Sequence, residues 1–303
     1  MKRIGSAFVA FIGLSLLMQS CKKNDVNPDE VRLLAFETTD TSITYRKVFD
    51  YDNLGRITQV QFNFGTRGAL VASIAYQGNQ ILMKPTPFNP AFSDIDSVVL
   101  IMDAANHVQK RLGYSFFEVL PPDNPQRTYS YDTTLYQYNA AGLLQKETAT
   151  HRDSTWIVNA GDTQTWIYIT NTISDYTNTD GNLASISSTH DATSYSHQHG
   201  KDYVSRSSTV SVKSFEYTKA YPNKTDFSNA AVLTELGYLQ LQTPINKNYK
   251  NLPDKITSIS TNRDQAGAIT FVNNISSDFV LKYNFYGFLS AINNGSVKLI
   301  YNR

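Results

Sequence analysis

The sequence predicts an all-β fold: an antiparallel meander of hairpins forming a curved sheet or incomplete barrel, with one short helix near 227–241. The first observation behind this is a recurring turn. Tyr51-Asp52-Asn53-Leu54-Gly55-Arg56-Ile57 is echoed by Tyr138-Asn139-Ala140-Ala141-Gly142-Leu143-Leu144 and by Tyr283-Asn284-Phe285-Tyr286-Gly287-Phe288-Leu289. Thr179-Asp180-Gly181-Asn182-Leu183 is a shortened copy. The second is period-two alternation of apolar and polar residues, as in Val60, Phe62, Phe64 and again in Leu70, Ala72, Ile74, Tyr76. The third is that helical spacing occurs in one stretch, where Val232, Leu236 and Leu239 fall at i, i+4 and i+7.

Each part of the turn has a physical reason. A large ring suits a half-buried pleated strand, where it packs across its neighbours. The Asp or Asn beside it can hydrogen-bond the backbone two residues on, which favours leaving the strand. Gly55, Gly142, Gly181 and Gly287 then supply a positive φ that a residue with a Cβ adopts only at a cost. An apolar residue follows at once or one position later, so burial resumes.

Taken in order, residues 1–20 read as a lipoprotein signal peptide, 21–30 as a lipidated cysteine and flexible tether, and 31–303 as a single antiparallel β domain. Lys2 and Arg3 form a basic start, and Ala7 to Leu17 is an apolar run too short to span a bilayer. Leu17-Met18-Gln19-Ser20-Cys21 closes it, and Cys21 is the only cysteine. That ending resembles the lipobox of bacterial lipoproteins, which implies cleavage before Cys21 and acylation of its new N-terminus with palmitate-type chains. The mature chain would then hold no free thiol, which excludes disulfides and thiol catalysis. Without Lys2 and Arg3 it carries 25 basic residues (27 − 2) against 26 acidic ones, so nothing in its charge suits nucleic acid.

Beyond the tether, the two alternating runs form a hairpin, and Gly78-Asn79 turns the chain again. Lys84 to Asp94 contains three prolines and reads as a surface loop. Val98 to Met102 is a short buried strand followed by a degenerate turn at Asp103 to Asn106. Trp166, Tyr168 and Tyr176 share one face of a long strand whose other face carries Ile167, Ile169 and Ile173. Val210, Val212, Phe215 and Tyr217 mark another strand, and Val297, Leu299 and Tyr301 close the chain.

The turns resemble the YD repeats of Rhs-type shell proteins, which have Tyr-Asp, two variable residues, then Gly-Arg and an apolar residue. Tyr51 to Ile57 fits that pattern. From Cys21 onward the chain is similar to a group of Bacteroidota-type lipoproteins of unknown function with a porin-like, YD-related β fold. The local mark of that likeness is Ala231 to Ile256, where an Asn-rich run leads into Leu252-Pro253-Asp254 and an apolar strand. The resemblance implies an outer-membrane address in the cell envelope and brings no catalytic residues.

Several residues are candidate sites. Trp156 and Trp166 could stack a sugar, as exposed rings do. His197 and His199, spaced i and i+2 with His190, Asp191 and Asp202 near, could hold a metal from one strand face. Asp50 with Asp52, and Asp94 with Asp96, have the spacing of a carboxylate pair on one face. Asp96-Ser97-Val98, Asp132-Thr133-Thr134 and Asp153-Ser154-Thr155 resemble a short acceptor pattern for O-glycosylation of exported proteins. No nucleophile motif, phosphate loop or metalloprotease helix is present in the sequence. The expectation is therefore a non-enzymatic binding module without cofactor, tethered to the membrane and taking a glycan, peptide or envelope protein. The alternatives are an assembly accessory of an outer-membrane complex and, behind it, an envelope hydrolase.

Overall fold

The computed structural model describes residues 32–40, 43–64, 69–85, 97–119, 125–159, 162–219, 221–222, 249–283, 289–292 and 297–301. The expected signal peptide, Cys21 and expected tether, the helix expected at 227–241, Gly287, Asp94 and Asp96 lie outside them. The described chain is all-β, with no helix, and one large antiparallel sheet that does not close into a barrel.

The strands are β1 (Leu33–Asp40), β2 (Ile43–Tyr51), β3 (Ile57–Phe64), β4 (Ala69–Gln77), β5 (Gln80–Pro85), β6 (Ser97–Met102) and β7 (Val108–Val119). The long strands follow: β8 (Gln126–Tyr138), β9 (Leu144–Asn159), β10 (Asp162–Thr179), β11 (Asn182–Gln198) and β12 (Lys201–Glu216). After them come β13 (Tyr221–Pro222), β14 (Asn251–Leu252), β15 (Lys255–Arg263), β16 (Ile269–Asp278), β17 (Leu281–Tyr283), β18 (Leu289–Ile292) and β19 (Val297–Tyr301). Pro85, expected in a loop, is the last residue of β5, where a strand end tolerates a missing N–H.

From β1 to β12 every strand pairs with its chain neighbour, and β15 and β16 continue the ladder from β12. β13 and β14 form a small separate pair. On the other side, β1 pairs with β19, β19 with β18, and β18 with β17. β16 pairs with β15 and β17 with β18, so residues 279–280 join the two ends of the meander.

At the lower rim of the sheet the repeated turn takes one geometry three times. Asp52 Oδ1 accepts from Leu54 N–H and Arg56 N–H, both at 2.9 Å. Asp103 does the same for Ala105 and His107 at 2.8 Å, and Asn139 for Ala141 and Leu143 at 2.9 Å. The fourth residue has positive φ: 79° at Gly55, 73° at Gly142 and 62° at Asn106, where an Asn side chain tolerates the left-handed region. The Asp103 turn is thus a full member of the series. Asp264-Gln265-Ala266-Gly267-Ala268 repeats it at the upper rim, between β15 and β16, with Asp264 Oδ1 accepting from Ala266 and Ala268. The Asp180-Gly181 and His199-Gly200 hairpins are shorter, with both residues at positive φ.

At five places along the lower rim a tyrosine locks a strand end to the strand before it. Tyr51 donates its hydroxyl to the carbonyl of Leu33, Tyr76 to Ile57 at 3.0 Å, and Tyr138 to Val108 at 3.0 Å. Tyr217 donates to Leu183 at 2.7 Å and Tyr301 to Leu289 at 2.8 Å. In each case a residue at or beside the end of a descending strand reaches the first or second carbonyl of the adjacent ascending strand. Asn178 takes the same role toward Leu144 at 2.9 Å. The residue just before the acceptor often covers the ring. The Arg32 guanidinium lies 5.5 Å from the Tyr51 centroid, Arg56 lies 4.5 Å from Tyr76, and His107 stacks on Tyr138 at 4.7 Å. Arg56 also pairs with Asp52 at 2.7 Å. The Gly-Arg-apolar half of the motif therefore serves the tyrosine of the next hairpin.

The acceptor residues begin the core. Leu33, Ile57, Leu183 and Leu289 are essentially inaccessible, and Phe36, Phe49, Val60, Ile81 and Leu100 join Leu33, Ile57 and Leu289 in a cluster over β1–β6 and β17–β19. A second cluster of Leu143, Leu183, Ile186, Phe215, Tyr249 and Ile256 fills the lower end of the long strands, and Phe279 touches both. Asp254 fastens the rim between β14 and β15. It is buried, accepts from Thr218 N–H and Lys219 N–H at 3.0 Å each, and its carbonyl accepts Phe279 N–H at 2.7 Å.

Two measurements check this account. Gly142→Val forces a β-branched residue into the left-handed region and is expected to cost roughly 2 kcal/mol in urea unfolding, whereas Ala141→Val in the same turn leaves stability within about 0.5 kcal/mol. Tyr217→Phe removes only a hydroxyl and is expected to cost about 1 kcal/mol, because the Leu183 carbonyl loses its donor.

Candidate binding face

Side chains directly opposite across an antiparallel ladder share a face. The register therefore carries the core face, which holds Val98, Leu100, Ile186 and Phe215, onto the upper part of the long strands, which rises past the apolar filling. There the face changes character. Glu147, Ser174, Ser188, Ser211, Ser260 and Asn273 form one row across β9, β10, β11, β12, β15 and β16. Above it run Thr134, Ala149, Thr172, His190, Thr209 and Asn262. The hydroxyls satisfy one another: Ser174 with Ser188 at 2.8 Å, Thr172 with His190 Nδ1 at 2.8 Å, and Thr209 with Asn262 Oδ1 at 2.9 Å.

The two highest complete rows interleave hydroxyls with rings. One reads Ser115, Ser130, Asp153, Tyr168, Ser194, Ser205, and the next Phe117, Thr128, Thr155, Trp166, Ser196, Tyr203. Tyr168, Tyr203 and Phe117 are exposed and Trp166 is partly so. The expected division of β10, with Trp166, Tyr168 and Tyr176 on one face and three isoleucines on the other, holds in the register.

Trp156 lies opposite Thr165, so it is on the reverse face from Trp166, although their strands are adjacent. The two tryptophans form no common platform. Trp156 meets Tyr129 edge-on at 5.5 Å, and Tyr129 lies 4.8 Å from Phe116, giving a reverse-face aromatic cluster of its own.

A charged cluster sits in the middle of the core face. His151 lies opposite Asp132, and its Nδ1 bonds that carboxylate while its Nε2 contacts Asp153 Oδ2 at 2.8 Å. Arg111 Nη1 approaches Asp132 from the other side at 3.7 Å. Gly113 leaves the room: a Cβ there would come within 2.9 Å of Asp132 Oδ2. Burial works against charging the ring, but the bonds to Asp153 and Asp132 outweigh it and raise the His151 pKa. The i, i+2 spacing of His151 and Asp153 was available in the sequence. Asp132 joins them only through the β8–β9 register.

The other sequence candidates fall elsewhere. His197 is on β11 and bonds Asp202 at 2.7 Å, but His199 is in the hairpin turn at φ 49°, so the two do not share a strand face. Among the described residues no three His, Cys, Asp or Glu side chains are grouped as a metal site. Asp52 is not free to pair with Asp50 chemically, because its carboxylate is taken by Leu54, Arg56 and the Arg56 guanidinium. In two of the glycosylation patterns Asp132 and Asp153 are engaged with His151, and Ser154 is buried.

Comparison with known protein families finds no family model that matches the chain, and comparison with curated proteins finds no match.

The His151 cluster makes a signed prediction. A raised folded-state pKa contributes stability that is complete below the ordinary histidine value of about 6.5 and is lost as pH rises through the folded value. Urea unfolding at pH 5.5 and pH 8.5 is expected to show the wild type losing stability at the higher pH, and His151→Asn flattening that difference.

Proposed function

We propose that this chain is a non-enzymatic envelope lipoprotein, held to the outer membrane by acyl chains on Cys21, whose upper core face binds a glycan. One observation supports the ligand class above the others: the two uppermost rows set rings among hydroxyls across six neighbouring strands. Strands stand about 4.8 Å apart, so Phe117, Trp166 and Tyr203 offer stacking surfaces along a line. Serine and threonine hydroxyls between them can donate to and accept from sugar hydroxyls. Hydroxyl pairs in and below these rows, Thr128 with Thr155 at 3.0 Å and Ser174 with Ser188 at 2.8 Å, hold the face in shape before a ligand arrives, which reduces the ordering cost of binding. A second reading, an accessory to an envelope complex, draws support from the reverse face, where Leu135, Ile173, Val212 and Ile259 are exposed.

A glycan-array screen with matched variants tests the proposal. Trp166→Ala and Tyr203→Ala are each expected to weaken binding about tenfold, corresponding to loss of one stacking surface of roughly 1.4 kcal/mol. Trp156→Ala, on the reverse face, leaves it unchanged. Binding lost only with Trp156 would move the site to the reverse face, and no binding to any glycan would favour the protein-partner reading.

A further inference from the structure

β16 is a ten-residue strand whose ladder partner is β15 alone, and nine of its ten residues are exposed. On its other side the register runs out early. β18 ends at Ile292, opposite Leu281, so among the described residues no strand of the sheet flanks β16 above that level. Ile269, Phe271, Val272 and Ile275 are each more than half exposed. Exposed strand edges are normally protected by charges, prolines or bulges that oppose pairing with another chain. The unpaired upper end of β12 has that protection in Lys201, Asp202 and Arg206. Residues 269–277 have neither charge nor proline, and the one bulge of β16, at Thr270, lies at its upper end, clear of residues 271–277.

The sequence of this edge is also self-complementary. If two copies of β16 pair antiparallel about a two-fold axis at Asn273, Phe271 lies opposite Ile275 on both sides of the axis. Val272 then faces Asn274, and Asn273 faces its own copy. The axis joins amide to amide, the next pairs on its face join ring to aliphatic chain, and no like charges oppose each other.

We propose that two copies of this chain pair edge to edge through β16, joining their sheets into one continuous antiparallel sheet across the two-fold axis. The occupant of the edge is a second copy rather than a foreign peptide, because the strand's own register about Asn273 sets Phe271 against Ile275 twice and opposes no like charges. This interface is independent of the glycan face: removing it leaves Trp166 and Tyr203 in place.

Sedimentation equilibrium of the full chain in detergent tests it. The wild type is expected to give a protein dimer mass that dissociates on dilution. Asn273→Lys places two like charges opposite each other on the axis and is expected to give a monomer. Val212→Lys on the reverse face of β12 remains dimeric, and circular dichroism confirms that both variants keep the β signal. Register is read by cysteine pairing in a Cys21→Ser background. Asn273→Cys forms a reducible dimer, whereas Ile269→Cys, which faces Ser277 of the other copy, does not. A wild-type monomer up to about 100 μM, well above the micromolar range of weak specific pairing, overturns the proposal. So does a dimer indifferent to Asn273→Lys, and so does an Asn273→Cys variant that cross-links to a different protein.

Discussion

The hydrogen bond from a tyrosine hydroxyl to the first or second carbonyl of the neighbouring strand holds the lower rim of this sheet together. It recurs at Tyr51, Tyr76, Tyr138, Tyr217 and Tyr301, with Asn178 standing in once. The carbonyl it satisfies belongs to a strand-opening apolar residue, and Leu33, Ile57, Leu183 and Leu289 are buried on that account with their polar backbone paired. Burial pushes the Tyr217 phenol up to about 12, so it remains a donor over the whole physiological range. Because strand side chains alternate with period two, fixing the first pair of each hairpin decides which face every residue above it takes. The serine rows and the Trp166 row are consequences of that anchoring.

The rim also explains where the apolar core stops. The described strands β1–β6 have six to nine residues, whereas β9–β12 have sixteen to eighteen. All share the lower rim, so the long strands outrun the side chains that fill the part beside it. Their upper halves keep order by other means: paired hydroxyls, the Arg111–Asp132–His151–Asp153 cluster, and continuous ladders. Asp254 contributes at the base. Burial opposes its charge, yet donors from Thr218 and Lys219 hold its carboxyl below the usual range, so acid weakens the rim as that carboxylate takes a proton.

Much of this was legible in the sequence, for local reasons. Gly55 and Gly142 announce their turns because the geometry is set by five consecutive residues, and the two faces of β10 follow from alternation alone. The Asp103 turn looks degenerate because Asn106 replaces glycine, although the left-handed region accepts both. The Asp264 turn has no aromatic residue before it, since the tyrosine belongs to the lower rim and this turn is at the upper one. What depends on register could not be read. Asp132 meets His151 through a β8–β9 alignment that a bulge near Tyr138 shifts, and the separation of Trp156 from Trp166 needs the β9–β10 alignment. His199 misleads for the opposite reason. Its spacing from His197 suits a strand, but the glycine after it makes a two-residue hairpin there.

β1 lies between β2 and β19, so the order of strands in space is a rotation of their order along the chain. A plain up-and-down meander would result from opening the backbone at residues 279–280 and joining the stretch after Tyr301 to the one before Leu33. In the natural connectivity β1, the earliest of the described strands, waits for β19, the latest of them, before both of its edges are covered. Until then Leu33 and Phe36 have half a core to pack against. During synthesis, the interval before β19 arrives is therefore the one in which the outer edge of β1 stays open to other chains.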